Sequence, residues 1–358
     1  MRVGIVGLPR AGKTTLFRLL TGADPMGRQD VSIGMARVPD ARINFLSAMF
    51  KPKKTVYAQT EVVDLASGAS GSGGADRSDS RGLARLTNHM RVVDALVDVV
   101  RVFESPEDGP ADPLGEAAAL NDELILADLA VAEARVERLS ESKKRSSEED
   151  EELRIMTRLA SELGEGRGMR EIQIPPEDMA ALRGYGLLSV KPVLLVANMS
   201  EEQFSASGYP RRDDLRAYCA ERGVPLVELA ARIEVEIAEL APDEREAFMS
   251  EYGISVSGVE QVSRAVYNSL GLISFFTVGE DEVRAWPIHA GTVARRAAGK
   301  VHSDMEHGFI RAETVAYDDL VRCGSFAAAK AAGLFRLEGK EYVMADGDIV
   351  NFRFSPPK

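Results

Sequence analysis

The chain has 358 residues, of which 45% are hydrophobic and 28% charged, and its formal net charge is −12. That length exceeds what one core usually fills, so two or three compact units are expected, and the composition is that of globular protein. The acidic balance excludes a protein that coats nucleic acid by bulk charge, and the two cysteines, Cys219 and Cys323, form neither a disulfide framework nor a metal-spacing motif, which points to the cytosol.

Residues 2–6 (RVGIV) read as a first strand rather than a signal peptide, because no small-residue cleavage site follows. The apolar spacing of LFRLL at 16–20 then predicts a helix, giving strand, loop and helix at the start of a parallel sheet. Further strands are predicted at Glu61–Asp64, Ala95–Phe103 and Pro192–Ala197, the last two apolar enough to be buried on both faces. Ser67–Gly74 (SGASGSGG) has no apolar period and reads as a mobile loop. Leu120, Leu124, Ala127, Val131 and Ala134 recur at helical spacing, as do Leu153, Met156, Leu159 and Leu163. With the charged connector SESKKRSSEEDEE between them, they predict a helical hairpin with a solvated tip. Beyond Gly271 the texture changes to short strand-like pieces, ISFFTV, EVRAWPI, KEYVM and DIVNFRF, around an alanine-rich helix at Ser325–Gly333. No apolar run approaches the roughly 20 residues of a membrane-spanning helix, so neither a membrane nor, given the charge, DNA is an expected partner.

The chemistry is concentrated in Gly7-Leu8-Pro9-Arg10-Ala11-Gly12-Lys13-Thr14, which matches G-x-x-x-x-G-K-[ST] between a predicted strand and helix. Such glycines let backbone N–H groups turn around a β-phosphate, a lysine in the place of Lys13 neutralises phosphate oxygens, and a hydroxyl in the place of Thr14 ligates Mg²⁺. The candidate nucleotide-binding residues of this loop are therefore Gly7, Leu8, Pro9, Arg10, Ala11, Gly12, Lys13, Thr14 and the adjoining Thr15. Arg10 has two readings, a phosphate contact or an outward-pointing surface arginine. Asp64 ends the next apolar strand, where a carboxylate either holds the metal opposite Thr14 or serves as a turn or capping aspartate.

Asn198-Met199-Ser200-Glu201 follows KPVLLVA at the carboxyl end of a buried strand, where parallel sheets present ligand contacts. GTPases generally carry N-K-x-D here. Glu201 in place of that aspartate sets the carboxylate about one methylene out of position and weakens guanine selection, which makes adenine plausible.

With these residues in view, the sequence is similar to the YchF family of Obg-related ATPases. The likeness is carried by GLPRAGKTTLF (7–17), RVPDARI (37–43), LNDELILADL (120–129), KPVLLVANMSEE (191–202), RIEVEIAEL (232–240) and VRAWPIHAGTVARRAAGKVHSDMEHGFIRAE (283–313). The resemblance implies an α/β fold, a P-loop NTPase parallel sheet with an inserted helical hairpin and a C-terminal β-grasp-like TGS domain. It divides the chain into a nucleotide-binding domain (1–118 and 186–273), the hairpin (119–185) and the TGS domain (274–358). It further implies an ATP-preferring switch, with GTP as a second possible ligand, dependent on Mg²⁺ and associated with ribosomes. The fifth recognition element, commonly S-A-K in such proteins, falls on Ala230-Ala231-Arg232, which lacks the hydroxyl but keeps backbone N–H groups for a purine.

Three departures bear on hydrolysis. The family's D-I-A-G-L reads Asp64-Leu65-Ala66-Ser67-Gly68, the switch threonine is absent from MGRQDVS, and the histidine of some relatives' G-A-H is Ser70 in Gly68-Ala69-Ser70. His89 reads as a helix-surface or packed residue. Two functions compete on this basis, an ATPase whose nucleotide state controls ribosome docking and a nucleotide-sensing scaffold with little turnover, with an RNA-binding adaptor as a third. Arg284, Arg295, Arg296, Lys300, His302 and Arg311, close in sequence to Trp286 and Phe309, either form a phosphate-binding surface for RNA or solvate a small β-rich fold whose core the aromatics fill.

Overall fold

The computed structural model describes residues 1–24, 31–65, 87–105 and 109–355. The predicted loop at 67–74 and the departures at 26–30 and 66–70 lie outside the described residues. In chain order the elements are β1 (Arg2–Val6), α1 (Lys13–Thr21), β2 (Ser32–Arg37), α2 (Ala41–Phe50), β3 (Lys54–Val56), β4 (Gln59–Asp64), β5 (Ala95–Arg101), α3 (Pro113–Glu141) and α4 (Ser147–Gly164). There follow α5 (Pro176–Leu182), β6 (Val193–Asn198), α6 (Glu201–Ser205), α7 (Arg212–Glu221), β7 (Leu226–Leu229), α8 (Ala231–Glu239), α9 (Pro242–Glu251) and α10 (Gly258–Ser269). The last part holds β8 (Leu272–Val278), β9 (Glu282–His289), α11 (Ala294–Val301), α12 (Ser303–His307), β10 (Phe309–Ala316), α13 (Tyr317–Cys323), α14 (Phe326–Ala331), β11 (Arg336–Glu338) and β12 (Asp348–Phe354).

Two compact units result, one of residues 1–35 and 61–262, the other of residues 36–60 and 263–358. The first is built on a six-stranded sheet ordered β2-β4-β1-β5-β6-β7, in which β1 runs parallel to both β4 and β5. The same parallel sense continues through β6 and β7. β5 (ALVDVVR) and β6 (VLLVAN) are buried at every residue, as strands sandwiched between helical layers must be.

The helical pair forms as its periodicity predicts, with two differences. α3 begins at Pro113, where the proline suits the first helical position and Asp112 accepts a hydrogen bond from the Gly115 N–H, several residues before the predicted start. Ala134 is exposed, and the buried stripe runs through Leu120, Leu124, Ile125, Asp128 and Ala132 instead. Leu120 and Leu124 pack on the sheet with Val6 and Leu96, whereas Ile125 and Ala132 meet Ile155, Met156, Leu159 and Leu163. A capping box between Ser146 and Glu149 starts α4, and a two-pronged Arg135–Glu152 ion pair links the two helices. The fully buried Asp128 fits this stripe because its carboxylate accepts the N–H groups of Leu188 and Ser189 and the Ser189 hydroxyl.

At the sheet edge, Glu228 of β7 accepts hydrogen bonds from Arg212, Arg216 and Tyr209. Burial alone would raise the pKa of its carboxyl, but these donors outweigh burial and hold it near about 2. A depressed folded-state value means that the stabilisation is complete above the unfolded value of about 4.5 and is lost as pH falls towards 2. Glu228→Gln is therefore expected to lower the unfolding midpoint at pH 7 and to flatten its fall between pH 4.5 and 2, as read by thermal melts across that range.

The second unit carries a sheet ordered β11-β10-β12-β8-β9-β3. Its central strands β8 and β12 run parallel, each with an antiparallel partner, β9 and β10 respectively, which is a β-grasp-like arrangement. Neighbouring Phe275 and Phe276 are both fully buried and point to opposite faces, so the sheet is covered on both sides. Phe276 packs with Ile43, Leu46, Leu320 and Ala329, and Phe275 with Ala294, Ala297 and Ala298. The division drawn from the resemblance assigns residues 36–60 to the nucleotide-binding domain. They group instead with the second unit, because β3 lies parallel to β9 and α2 supplies Ile43 and Leu46 to its core. KEYVM forms no strand beyond a single bridge at Val343, and α11, α12 and α13 are helices that the strand-like texture of the sequence does not predict.

Candidate functional site

The site lies at the carboxyl end of the first unit's sheet, where β1, β4, β5 and β6 stop side by side. After Val6 the chain turns at Gly7, whose φ is 136° and where an added Cβ would stand 2.2 Å from the Val99 carbonyl oxygen. Only glycine meets both constraints. Gly12 has a φ of 103°, and an added Cβ would stand 2.4 Å from Asn198 Nδ2. It precedes α1, at whose start no side chain makes a capping hydrogen bond.

Between those glycines, Leu8 is half-buried, Pro9 and Arg10 are exposed, and Ala11 is fully buried. Lys13 is only 7% exposed, and its Nζ donates to the Leu8 carbonyl at 2.5 Å, which holds the ammonium along the inside of the loop. Thr14 is exposed, Thr15 is half-buried, and the Thr14 hydroxyl donates a long hydrogen bond of 3.5 Å to Asp64 Oδ2. Asp64 is 0% exposed and pairs in register with Ile5, beside the loop. A hydroxyl and a fully buried carboxylate converging here suit a hard divalent cation, which prefers oxygen donors.

Asn198 joins this loop to the far side of the site. Its Nδ2 donates to the Ala11 carbonyl at 2.9 Å and its Oδ1 accepts from the Ala231 N–H at 3.0 Å. One amide thus fixes the phosphate loop and the Ala230-Ala231-Arg232 turn in a single register, and it retains one N–H and one lone pair for a third partner. Met199 donates its N–H to the Leu229 carbonyl at 2.8 Å, while its side chain is buried with Val100, Val102 and Ile233. Glu201 lies exposed on the first turn of α6, which Ser200 caps and which Gln203 ties to the Val102 carbonyl. Ala230 and Ala231 are buried and Arg232 is exposed.

Sequence reasoning missed Glu234, a buried carboxylate one helical turn beyond Ala230, and Arg101, buried beside Asn198 in strand register. Glu234 falls within the family-like segment 232–240 but reads there as an ordinary helical acid, Arg101 closes an apolar strand, and tertiary contacts reveal the surroundings of both. His89 is half-buried and makes none of the site contacts above. A cavity of about 20 Å³ lined by Asp98, Arg170 and Tyr218 lies away from the loop, under α3 and α7, and holds no more than about one water. In the second unit, Arg295, Arg296 and Lys300 share α11, Arg296 pairs with Glu306 at 2.8 Å, and Arg284 lies 4.1 Å over the Trp286 ring. Trp286 and Phe309 are packed against that unit's core.

Residues 272–355 match the family model YchF-GTPase_C, described as a protein of unknown function (DUF933). Over 99% of both chains, the sequence is 40% identical to the ribosome-binding ATPase YchF of Bacillus subtilis. The chain belongs to the YchF family. This YchF chain is also 37% identical to the protein of the same description from Haemophilus influenzae, again over 99% of both. Its identity to the Obg-like ATPase 1 of Oryza sativa subsp. japonica is 34%, covering 99% of this chain and 92% of the relative. The solved structure of the Schizosaccharomyces pombe YchF GTPase superposes with a TM-score of 0.88 at 30% identity, covering 99% of this chain and 97% of that one. The YchF fold, a P-loop-type parallel sheet domain with its second unit, is thereby established for this sequence.

Proposed function

We propose that this chain is an ATP-preferring, ribosome-associated ATPase that works as a translation-related switch, with GTP as a secondary ligand. The observation that carries the reading is the hydrogen-bonded link from Ala11 through Asn198 to Ala231, which sets a phosphate-gripping loop and a base-facing turn at one distance from each other. In this reading the N–H groups of the loop and of the α1 terminus take the β-phosphate, and Lys13 takes β/γ oxygens. Asn198, the backbone of 230–232 and Glu201 face the purine. Thr14 and Asp64 would hold Mg²⁺, which supplies neutralisation of phosphate charge when bound. Full-length kinship with proteins described as ribosome-binding ATPases supports the ribosome as partner. We assign that contact to the TGS domain and the helical hairpin. Kinship with proteins described as ribosome-binding supports a cytoplasmic site of action, and the proposal includes neither a membrane nor DNA as partner; among the described residues no helix is long and apolar enough to cross a membrane.

The test is a competition series of ATP, GTP, ADP and GDP against the intact protein with Mg²⁺, followed by ribosome co-sedimentation with and without the preferred nucleotide. ATP is expected to bind tighter than GTP and to change co-sedimentation. Sedimentation indifferent to nucleotide would leave only an RNA-binding adaptor. A second reading, a nucleotide sensor without turnover, is favoured by Ser70 standing where some relatives carry histidine. Single-turnover phosphate release at the uncatalysed background, with and without ribosomes, would select it.

A further inference from the structure

The turn that faces the base in the reading above is held from its other side by a buried carboxylate. Glu234 is 5% exposed, and its Oε1 accepts from the Gly258 N–H at 2.6 Å while its Oε2 faces the Val259 N–H at 3.5 Å. Those are the first two N–H groups of α10, which lack intrahelical partners in any helix. Glu234 is itself in α8, whose first residue Ala231 donates to Asn198 and whose Glu234 N–H bonds back to the Ala230 carbonyl at 3.0 Å. A rigid helical turn therefore connects the carboxylate to the N–H that Asn198 holds.

Gly258 closes the same grip by contact. A Cβ added there would stand 2.6 Å from Leu229 Cβ and 3.0 Å from Glu234 Oε1, so the α10 backbone lies directly on the residue that leads into the turn. Leu229 also receives the Met199 N–H at its carbonyl. The segment 229–234 is thus fixed by Asn198 and Met199 on one side and by α10 on the other. Burial pushes the Glu234 carboxyl upward in pKa against the two N–H groups that stabilise its charge, so this contact is maintained at a cost to the folded protein.

We propose that Glu234 and Gly258 are positioning residues for the nucleotide base: they set the 230–232 turn against the phosphate loop, so that affinity for the base, and not for the phosphates, depends on them. The inference rests on the assignment of 230–232 to the base. Because neither residue touches ligand, its signature is a split between two ligands that share only the phosphate chain.

The experiment is calorimetry on the full chain with Mg-ATP and with inorganic tripolyphosphate. Glu234→Gln removes the charge and sets an NH₂ group against the α10 donors, and Gly258→Ala displaces the turn with the carboxylate intact. Each is expected to weaken ATP about 10-fold, the size of one charge-assisted hydrogen bond partly lost, while leaving tripolyphosphate unchanged. Ser257→Ala is the control, since Ser257 Oγ accepts the Glu260 N–H at 3.2 Å and so caps the same helix without touching the turn. It is expected to lower thermal stability and leave both ligands as in the wild type. ATP affinity unchanged in both positioning variants, or ATP and tripolyphosphate weakened by the same factor, would overturn the proposal. Hydrogen exchange on the wild type gives an answer that needs no variant: the amides of 258 and 259 should slow more with ATP than with tripolyphosphate, and equal slowing counts against the idea. Tripolyphosphate bound without any ATP preference would instead refute the base assignment itself.

Discussion

Lys13→Ala is expected to abolish measurable binding of Mg-ATP while the protein remains folded. The ammonium is buried inside the loop and directed along it by the Leu8 carbonyl, so it meets a polyanion where little water competes. Two charge-assisted contacts to phosphate oxygens at about 1.5–3 kcal/mol each make the loss about 3 kcal/mol or more, roughly 100-fold or greater in Kd. Lys13→Arg is expected to rescue little, because a planar fork does not replace a compact ammonium in a loop closed around it. Calorimetry with ATP and with tripolyphosphate checks both, and here the two ligands should fail together. Wild-type affinity in the alanine variant would remove the phosphate loop from the mechanism.

The second large effect falls on Asn198. Asn198→Ala removes the donor to Ala11 and the acceptor for Ala231 together, and both backbone groups then lie buried without a partner. At about 1–3 kcal/mol for each of the two orphaned groups, stability should fall by about 2–6 kcal/mol, visible as a lower urea midpoint with an unchanged slope. Nucleotide binding should weaken beyond what unfolding explains, since the phosphate loop and the turn lose their common tie. Asn198→Asp keeps the acceptor for Ala231 but sets a carboxylate oxygen against the Ala11 carbonyl, so it should be no better than alanine. Gly12→Ala attacks the same junction from the opposite direction, through its left-handed backbone and the 2.4 Å approach to Asn198 Nδ2. A urea midpoint in Asn198→Ala equal to that of the wild type would mean that the junction contributes nothing to folding.

These two residues also show what a sequence discloses about such a site. The phosphate loop is legible because its constraints are local: Gly7 and Gly12 take backbone conformations that other residues resist, and Lys13 and Thr14 follow at once on a helix start. The strand ending at Asn198 is legible because β6 is an apolar run closed by a polar residue, and the one ending at Asp64 because Val62-Val63 stand directly before the aspartate. Asn198 is recognisable as a site residue, but its bonds to Ala11 and Ala231 link segments far apart in the chain and have no local signature. Glu234 is less visible still, reading as one more acid on an amphipathic helix until α10 is placed against it. In the second unit β8, β9 and β12, rich in β-branched and aromatic residues, are read correctly, whereas KEYVM has strand-like composition and only the single bridge at Val343. α11 escapes notice because small alanines form its buried face, giving a weak apolar stripe between cations.

The assignment of residues 36–60 to the second unit has a practical corollary for anyone wishing to shorten this protein. The polypeptide passes between the two units three times, after residues 35, 60 and 262, so no stop codon separates them cleanly. Ending translation after residue 262 would strand Ile43 and Leu46 without the neighbours that shield them from water and leave β3 beside no strand, inviting aggregation. A workable minimal version of the first unit must also excise 36–60 and bridge the gap with a designed linker.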